Sequence, residues 1–327
     1  MNTPHPATAR AHPNIALVKY WGKRDEALIL PHQSSLSVTL APLEVRTTVE
    51  FGSAADQVDL NGSRAKGREL ERVLALVNAV REGVPGGLGP VKVTSQGNFP
   101  MSAGLASSAA GFAALAVATR AAAGLPRNTR AESMLARQGS GSACRSIEGG
   151  VCAWWKGTRA DGEDSFAEQL FPHTHWPELR LVVAVLSREE KEVGSRDGMR
   201  STVETSPYYP AWAKDADAEL ERARRFIASR DLEQLGALSE RNAWRMHASA
   251  LAADPPLCYL KPGTLAIIQA VSEQRKKGLP LWFTLDAGPN PVLLTDADHE
   301  LAAEALARSC GALDVIRCVP GGDAVLL

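Results

Sequence analysis

The chain has 327 residues, enough for about two domains and for burial of about three quarters of its unfolded surface. Apolar residues make up 45% and charged residues 22%, which excludes a disordered or collagen-like chain. Thirty-six Lys and Arg stand against 37 Asp and Glu, a formal net charge of -1, so no global basic field marks a nucleic-acid binder.

An apolar run at 15–18 reads as a strand that ends in Lys19, Tyr20, Trp21, Gly22, Lys23 and Arg24. Further strands are predicted over 46–51, 91–95 and 179–186, and helices over 65–81, 107–123 and about 130–137. Residues 84–90 (VPGGLGP) and 187–210 read as loops. The second is long, charged and poor in apolar residues, as functional or mobile loops are, and the domain boundary is placed at its start, giving domains 1–187 and 188–327. Beyond it the pattern predicts helices over 213–229, 232–251 and 264–277 and strands over 281–285 and 292–295. A helix over 297–309 and closing strands near Val315 and Ala324 complete the chain. Strands and helices intermix in both halves, the mark of an α/β or α+β enzyme.

Cys144, Cys152, Cys258, Cys310 and Cys318 form no C-x-x-C pair and leave one over, so reduced thiols in a cytoplasmic chain are expected. No apolar core follows a basic start at the N-terminus, so no leader is expected. The most apolar stretch, 109–118, is closed by Arg120 and is too short to cross about 30 Å of hydrocarbon, so no membrane partner is expected.

Four segments can carry chemistry. In NFPMSAGLASSAAGFAAL (98–115), small residues and the N-terminus of an alanine-rich helix suit a phosphate, with Ser107 and Ser108 as hydroxyl donors or help for a metal. The pattern is not Walker A, and a capped helix packed through its alanines fits the same residues. GSGSACRS (139–146) begins like a dinucleotide fingerprint, but Cys144 takes the third glycine position and no strand precedes it. Its glycines, Ser140, Ser142 and the planar fork of Arg145 suit an oxyanion; a polar turn with a surface arginine fits too. In TLDAGPN (284–290), Asp286 ends an apolar strand before a tight turn, where partial burial would suit it to act as a base; an Asp capping its own turn is the plainer alternative. The cations around Tyr20 and Trp21 suit a multiply charged anion, or form a solvated turn. His247 reads as locally hydrogen-bonded, Trp154 and Trp155 as packing, and Arg222, Arg224 and Arg225 as a wet helix face.

Together, NIALVKYWGKRDEALILP with SSLSVTL, NFPMSAGLASSAAG, GSGSACRSIEGG, EVGSRDGM with TVETSPYY, RMHA and TLDAGPN closely resemble the diphosphomevalonate decarboxylases of the GHMP kinase superfamily, in order and over about 11–295. The resemblance implies an α+β (α/β) fold. Its N-terminal ATP-binding domain would carry a left-handed βαβ crossover, and its C-terminal domain would be ferredoxin-like, with the active site between them. It implies ATP-dependent decarboxylation of (R)-5-diphosphomevalonate, with ATP and Mg²⁺ as cofactors and a homodimer as the assembly. It makes Asp286 the catalytic base, Arg145 the carboxylate holder and Lys23 a further catalytic residue, and Lys23, Tyr20, Ser195, Arg196 and Met199 substrate contacts. Ser140, Gly141 and Ser142 complete that pocket. Ser102, Ala103, Gly104, Leu105, Ala106, Ser107 and Ser108 form the ATP phosphate loop, Ser108 also a metal contact, and Lys191 binds ATP from the mobile loop. Gln33, Glu148, Glu192, Met101 and Ser102 depart from the family's pattern. The extra acid near a diphosphate pocket leaves 5-phosphomevalonate decarboxylation or a mevalonate 3-kinase activity as alternatives on the same fold. A non-catalytic nucleotide-binding protein is the third.

Overall fold

The computed structural model describes residues 5–99, 107–189 and 191–327. The chain opens with β1 (Ala7–Ala11), β2 (Asn14–Val18), the short hairpin β3 (Lys23–Asp25) and β4 (Leu30–Pro31), then β5 (Ser35–Ala41), β6 (Val45–Phe51), β7 (Gln57–Leu60) and β8 (Ser63–Arg64). Helix α1 (Gly67–Glu82), β9 (Val91–Gly97), α2 (Ser107–Ala122), α3 (Thr129–Gly139), a 3₁₀ turn (Gly141–Ser146), β10 (Val151–Trp154) and β11 (Ala167–Phe171) follow. The remainder is β12 (Leu179–Val185), α4 (Ser195–Thr205), α5 (Tyr209–Ala228), α6 (Leu232–Leu251), α7 (Pro262–Lys276), β13 (Trp282–Thr284), β14 (Val292–Asp296), α8 (Glu300–Ser309), β15 (Asp314–Pro320) and β16 (Val325–Leu326).

One sheet runs β16–β1–β6–β9–β7–β8. Along β1, Ala7, Ala9 and Ala11 are buried and alternate with half-exposed Thr8 and Arg10, so one face turns to the core. Helix α2 packs there, and its alanines let it sit close; Ala109, Ala110, Ala113, Ala114, Ala116 and Ala118 are all fully buried. A helix apolar on nearly every side has to be interior. In α1 the buried residues are Val73, Leu76, Val77 and Val80, a single helical stripe. Strands β7 and β9 pair in parallel on either side of α1, which makes this the βαβ unit of the fold.

The second sheet runs β11–β10–β5–β15–β12–β14–β13, with β2 also on β5. Its β12, β13, β14 and β15 lie in the order fourth–first–third–second, the ferredoxin-like βαββαβ arrangement, spanning Leu179 to Pro320. Strand β12 is buried on both faces. Leu181, Val183 and Val185 join Leu220, Ile227 and Leu238 of α5 and α6, whereas Val182 and Ala184 join Ile267, Val271, Ala303 and Leu306 of α7 and α8.

The stretch 187–210, expected as a continuous loop, contains α4. Its polar sequence conceals a helix whose buried Gly198, Met199 and Thr202 fall on one face; Thr202 Oγ1 accepts the indole N–H of Trp21 at 3.0 Å. Just after Trp21, Gly22 has φ +119°, and a Cβ there would meet the Tyr209 hydroxyl at 2.0 Å, so the turn that aims the Lys19–Lys23 segment requires glycine.

Candidate active site

A cavity of about 460 Å³ opens where the end of β2, the first turns of α2 and α4, the 3₁₀ turn and the end of β13 converge. It brings together Tyr20, Lys23, Ser107, Ser108, Ser140, Gly141 and Ser142 with Arg145, Lys191, Ser195, Arg196, Met199 and Asp286. Ser102, Ala103, Gly104, Leu105 and Ala106 lie outside the described residues. Among the described residues, six cations (Lys19, Lys23, Arg72, Arg145, Lys191 and Arg196) and one carboxylate, Asp286, line the space. Such a field selects a multiply anionic ligand.

Asp286 leaves β13 at a tight turn, Gly288 N–H donating to Asp286 O at 2.7 Å. Asn290 fastens this turn to the end of β12 by accepting from the N–H groups of Leu186 (2.7 Å) and Ser187 (3.0 Å). Lys19 Nζ donates to Asp286 Oδ1 at 2.6 Å and to Ala16 O at 2.7 Å. The Lys19 side chain is 1% exposed and that of Asp286 34%, so the lysine is a buried support and the carboxylate faces the cavity. Burial pulls the Lys19 pKa down and the Arg145 charge adds to this, while Asp286 opposes both. In the sequence Lys19 is one of three cations, with Lys23 and Arg24, around Tyr20 and Trp21, and nothing local gives it a role of its own. The available signal was its place directly after an apolar strand, which continues the chain into the core.

Arg145 sits on the 3₁₀ turn, 2% exposed. Its partners are neutral: Nη1 donates to Ser35 Oγ (2.6 Å) and Nη2 to Asn14 Oδ1 (3.2 Å), and Nε has no partner among the described residues. Burial lowers its pKa, with Asp286 among the groups opposing. A guanidinium remains a cation at neutral pH, so Arg145 is a buried charge awaiting an anion. It is no surface arginine.

Further polar and cationic groups line the rest of the cavity. The Tyr20 hydroxyl is buried without a partner among the described residues, and burial holds its pKa far above the usual phenol range, which keeps it a neutral donor. Its ring packs on Trp154 at 4.6 Å and against Gly141, where a Cβ would come within 2.7 Å of Tyr20 Cε1. Lys23 is buried but pairs with Glu26 at 2.6 Å. Arg72 Nη2 (2.8 Å) and Arg196 Nη2 (2.9 Å) both donate to Gly139 O, fixing the turn that presents Ser140. Burial, reinforced by Arg196, brings the Arg72 pKa down to about 10. Lys191, its pKa lowered by burial, donates to Ser195 Oγ at 3.1 Å. Ser108 Oγ and Ser140 Oγ stand 3.2 Å apart.

A second, mostly apolar slot of about 150 Å³, with Leu60, Val73, Val93, Phe112 and Leu115 among its walls, shares Arg72, Ser107 and Ser108 with the main cavity. Among the described residues no cluster of three His, Cys, Asp or Glu is built for a metal. A magnesium ion held largely by nucleotide phosphates needs only one or two protein groups, and Ser108 fits that donor set.

Of the departures from the family's pattern, Glu148, Glu192 and Gln33 do not line this cavity, and Met101 and Ser102 lie outside the described residues. Glu148 accepts the N–H of Gln169 at 2.8 Å, its pKa raised by burial, and is no acid of the pocket. Glu192 is exposed, and Gln33 is buried beside Tyr209 at 3.4 Å. His247 packs against the Leu285–Asp286 backbone, and burial takes its pKa down to about 4.

Two family models match the chain: "Diphosphomevalonate decarboxylase-like N-terminal domain" over residues 11–167 and "Mevalonate 5-diphosphate decarboxylase C-terminal domain" over 181–317. A diphosphomevalonate decarboxylase of Aspergillus fumigatus is 40% identical over 321 residues, covering 92% of this chain and 80% of that one. The solved mevalonate diphosphate decarboxylase of Enterococcus faecalis is 40% identical with a TM-score of 0.91 over 98% of each chain. A solved chain named MDDEF, in complex with MVAPP, AMPPCP and magnesium, matches with the same identity, TM-score and coverage. With matching models over both halves and a cavity that gathers the signature segments, the chain belongs to the diphosphomevalonate decarboxylase family of the GHMP kinase fold.

Proposed function

We propose that the chain catalyses ATP-dependent decarboxylation of (R)-5-diphosphomevalonate to isopentenyl diphosphate, with release of ADP, phosphate and carbon dioxide. The observation that carries this reading is one cavity in which Asp286 is the single carboxylate among the described residues, together with buried Arg145, whose hydrogen-bond partners are neutral. A base and an anion holder side by side suit a substrate that must lose both a hydroxyl proton and a carboxylate.

The substrate's diphosphate fits between Tyr20, Lys23, Ser195 and Arg196, with Ser140, Gly141 and Ser142 below it and Met199 as the apolar wall. Lys23 exchanges Glu26 for a phosphate oxygen as substrate enters. The ATP phosphates lie over the first turn of α2 at Ser107 and Ser108, where helix N–H groups attract anions, with Lys191 across from them. Residues 102–106 belong to the same loop on their sequence, and the apolar slot suits the base. Magnesium, when bound with ATP, neutralises charge on the phosphoryl groups, and Ser108 would hold it.

Asp286 takes the proton of the substrate's tertiary 3-hydroxyl as that oxygen receives the γ-phosphoryl group. The C3–O bond then breaks and phosphate leaves with the electron pair. The bond to the carboxylate supplies electrons for the alkene, and carbon dioxide departs from its place beside Arg145. The test is carbon dioxide release with ATP and 5-diphosphomevalonate, with the 5-monophosphate run beside it. Release from the diphosphate is expected. Turnover of the monophosphate alone would overturn the substrate assignment, and release from neither would overturn the reaction.

A further inference from the structure

Lys19 reaches Asp286 because its backbone is held from far along the chain. The Lys19 N–H, just past the end of β2, donates to Asn242 Oδ1 on α6 at 2.8 Å. Asn242 is fully buried, and its Nδ2 donates to Glu219 of α5. A backbone N–H only donates and a carboxylate only accepts, so one orientation of the amide satisfies both neighbours. Glu219 is 1% exposed and also accepts from Arg245 Nη1 (3.0 Å) and Arg241 Nε (3.2 Å), which fix it in place. Ala16 O, which takes Lys19 Nζ, accepts Thr284 Oγ1 at 3.1 Å as well, tying the same segment to the strand that carries Asp286.

We infer that Asn242 is a positioning residue for the reaction: Glu219 sets its amide, the amide sets the Lys19 backbone, and Lys19 sets the Asp286 carboxylate. The inference rests on Asp286 being the base. It gives α6 a part in the chemistry without a contact to substrate, because an error of about 1 Å in a reacting group costs up to about 10²-fold in rate.

The test is steady-state turnover of ATP and 5-diphosphomevalonate by the full chain, expressed per ATP-binding site, in Asn242→Asp, Glu219→Gln and the double variant. Asn242→Asp keeps an acceptor for Lys19 but sets two carboxylates against each other. In the double variant the new carboxylate accepts from both Lys19 and Gln, so donor and acceptor match again. Asn242→Asp is expected to lower kcat about tenfold or more with KM for ATP changed less than about twofold, and the double variant to recover most of the loss. A structural role alone would lower stability and the number of active sites but leave kcat per site intact. Unchanged kcat per site in Asn242→Asp, or a double variant no better than it, overturns the inference. If Asn242→Asp fails to fold, the double variant decides: near-normal kcat supports the inference, and a tenfold loss overturns it. Asp286→Asn measured alongside separates the two readings, since turnover retained there means the base assignment has failed instead.

Discussion

Lys19 and Asp286 form one ion pair in which the two partners have very different access to water, and that difference separates their mutational signatures. Asp286→Asn removes the base and is expected to lower kcat by about 10²–10⁴ while ATP affinity stays within about twofold. Lys19→Met fills the same buried volume without charge. The remaining Asp286 is one-third exposed and can hydrate, so the expected loss of stability is about 1 kcal/mol, well below the cost of stranding a fully buried charge. Turnover is expected to fall about 10²-fold all the same, because the carboxylate loses its anchor. Thermal unfolding beside kcat checks this, and a large drop in Tm with near-normal kcat would contradict it. Asp286 and Arg145 were legible in the sequence because a strand end before Gly-Pro and a glycine–serine turn are local signals. Lys19 was not: it and Lys23 are both buried, and only the fold sets Lys19 on Asp286 while Lys23 meets its chain neighbour Glu26. The partners of His247 and Asn242 lie just past β13, on α5 and just past β2, outside the reach of any pattern along α6 itself.

The helices were legible where their period was clear and obscure where it was not. Helices α1, α5 and α6 carry an apolar stripe and fall within a few residues of their predicted bounds. Strand β5 was not predicted, although Ser35, Ser37 and Thr39 alternate with Leu36, Val38 and Leu40; in the structure nearly all of its residues are buried, the small polar ones included. Helix α4 was hidden by its polar residues, although Gly198, Met199 and Thr202 already sit at helical spacing. Helix α6 also carries a pH dependence. The folded chain holds the His247 pKa near 4, against 6.5 for the free side chain, so between those values the unfolded chain binds the extra proton. Stability therefore rises with pH across that window and is lost as pH falls through it, by up to about 3 kcal/mol. Denaturant unfolding from pH 7 to 4 should show this, and His247→Gln should flatten the slope. An unchanged slope in that variant would place the acid sensitivity elsewhere.

At the scale of the whole molecule, sheet order was the least legible feature. Strand β15 joins β5 through Val319–Ala41 and Pro320–Leu40, and β16 returns to β1 through Leu326–Ala9 and Val325–Arg10, pairings no local pattern announces. The cavity likewise gathers segments distant in sequence, and sets six cations against one carboxylate among the described residues. Raising the ionic strength from about 0.05 to 0.3 M is therefore expected to raise KM for the diphosphate several-fold with little change in kcat; a KM insensitive to salt would mean that the field does not guide the substrate. The central claim is that phosphoryl transfer at Asp286 and carboxylate loss beside Arg145 occur on one substrate in one cleft. The direct measurement is carbon dioxide counted against ADP during turnover of 5-diphosphomevalonate, in the parent chain and in Arg145→Met. One carbon dioxide for each ADP is expected in the parent chain, with both falling together on the order of 10²-fold in Arg145→Met. ADP formed by the parent chain with the carboxylate retained on the product would contradict it and leave a kinase.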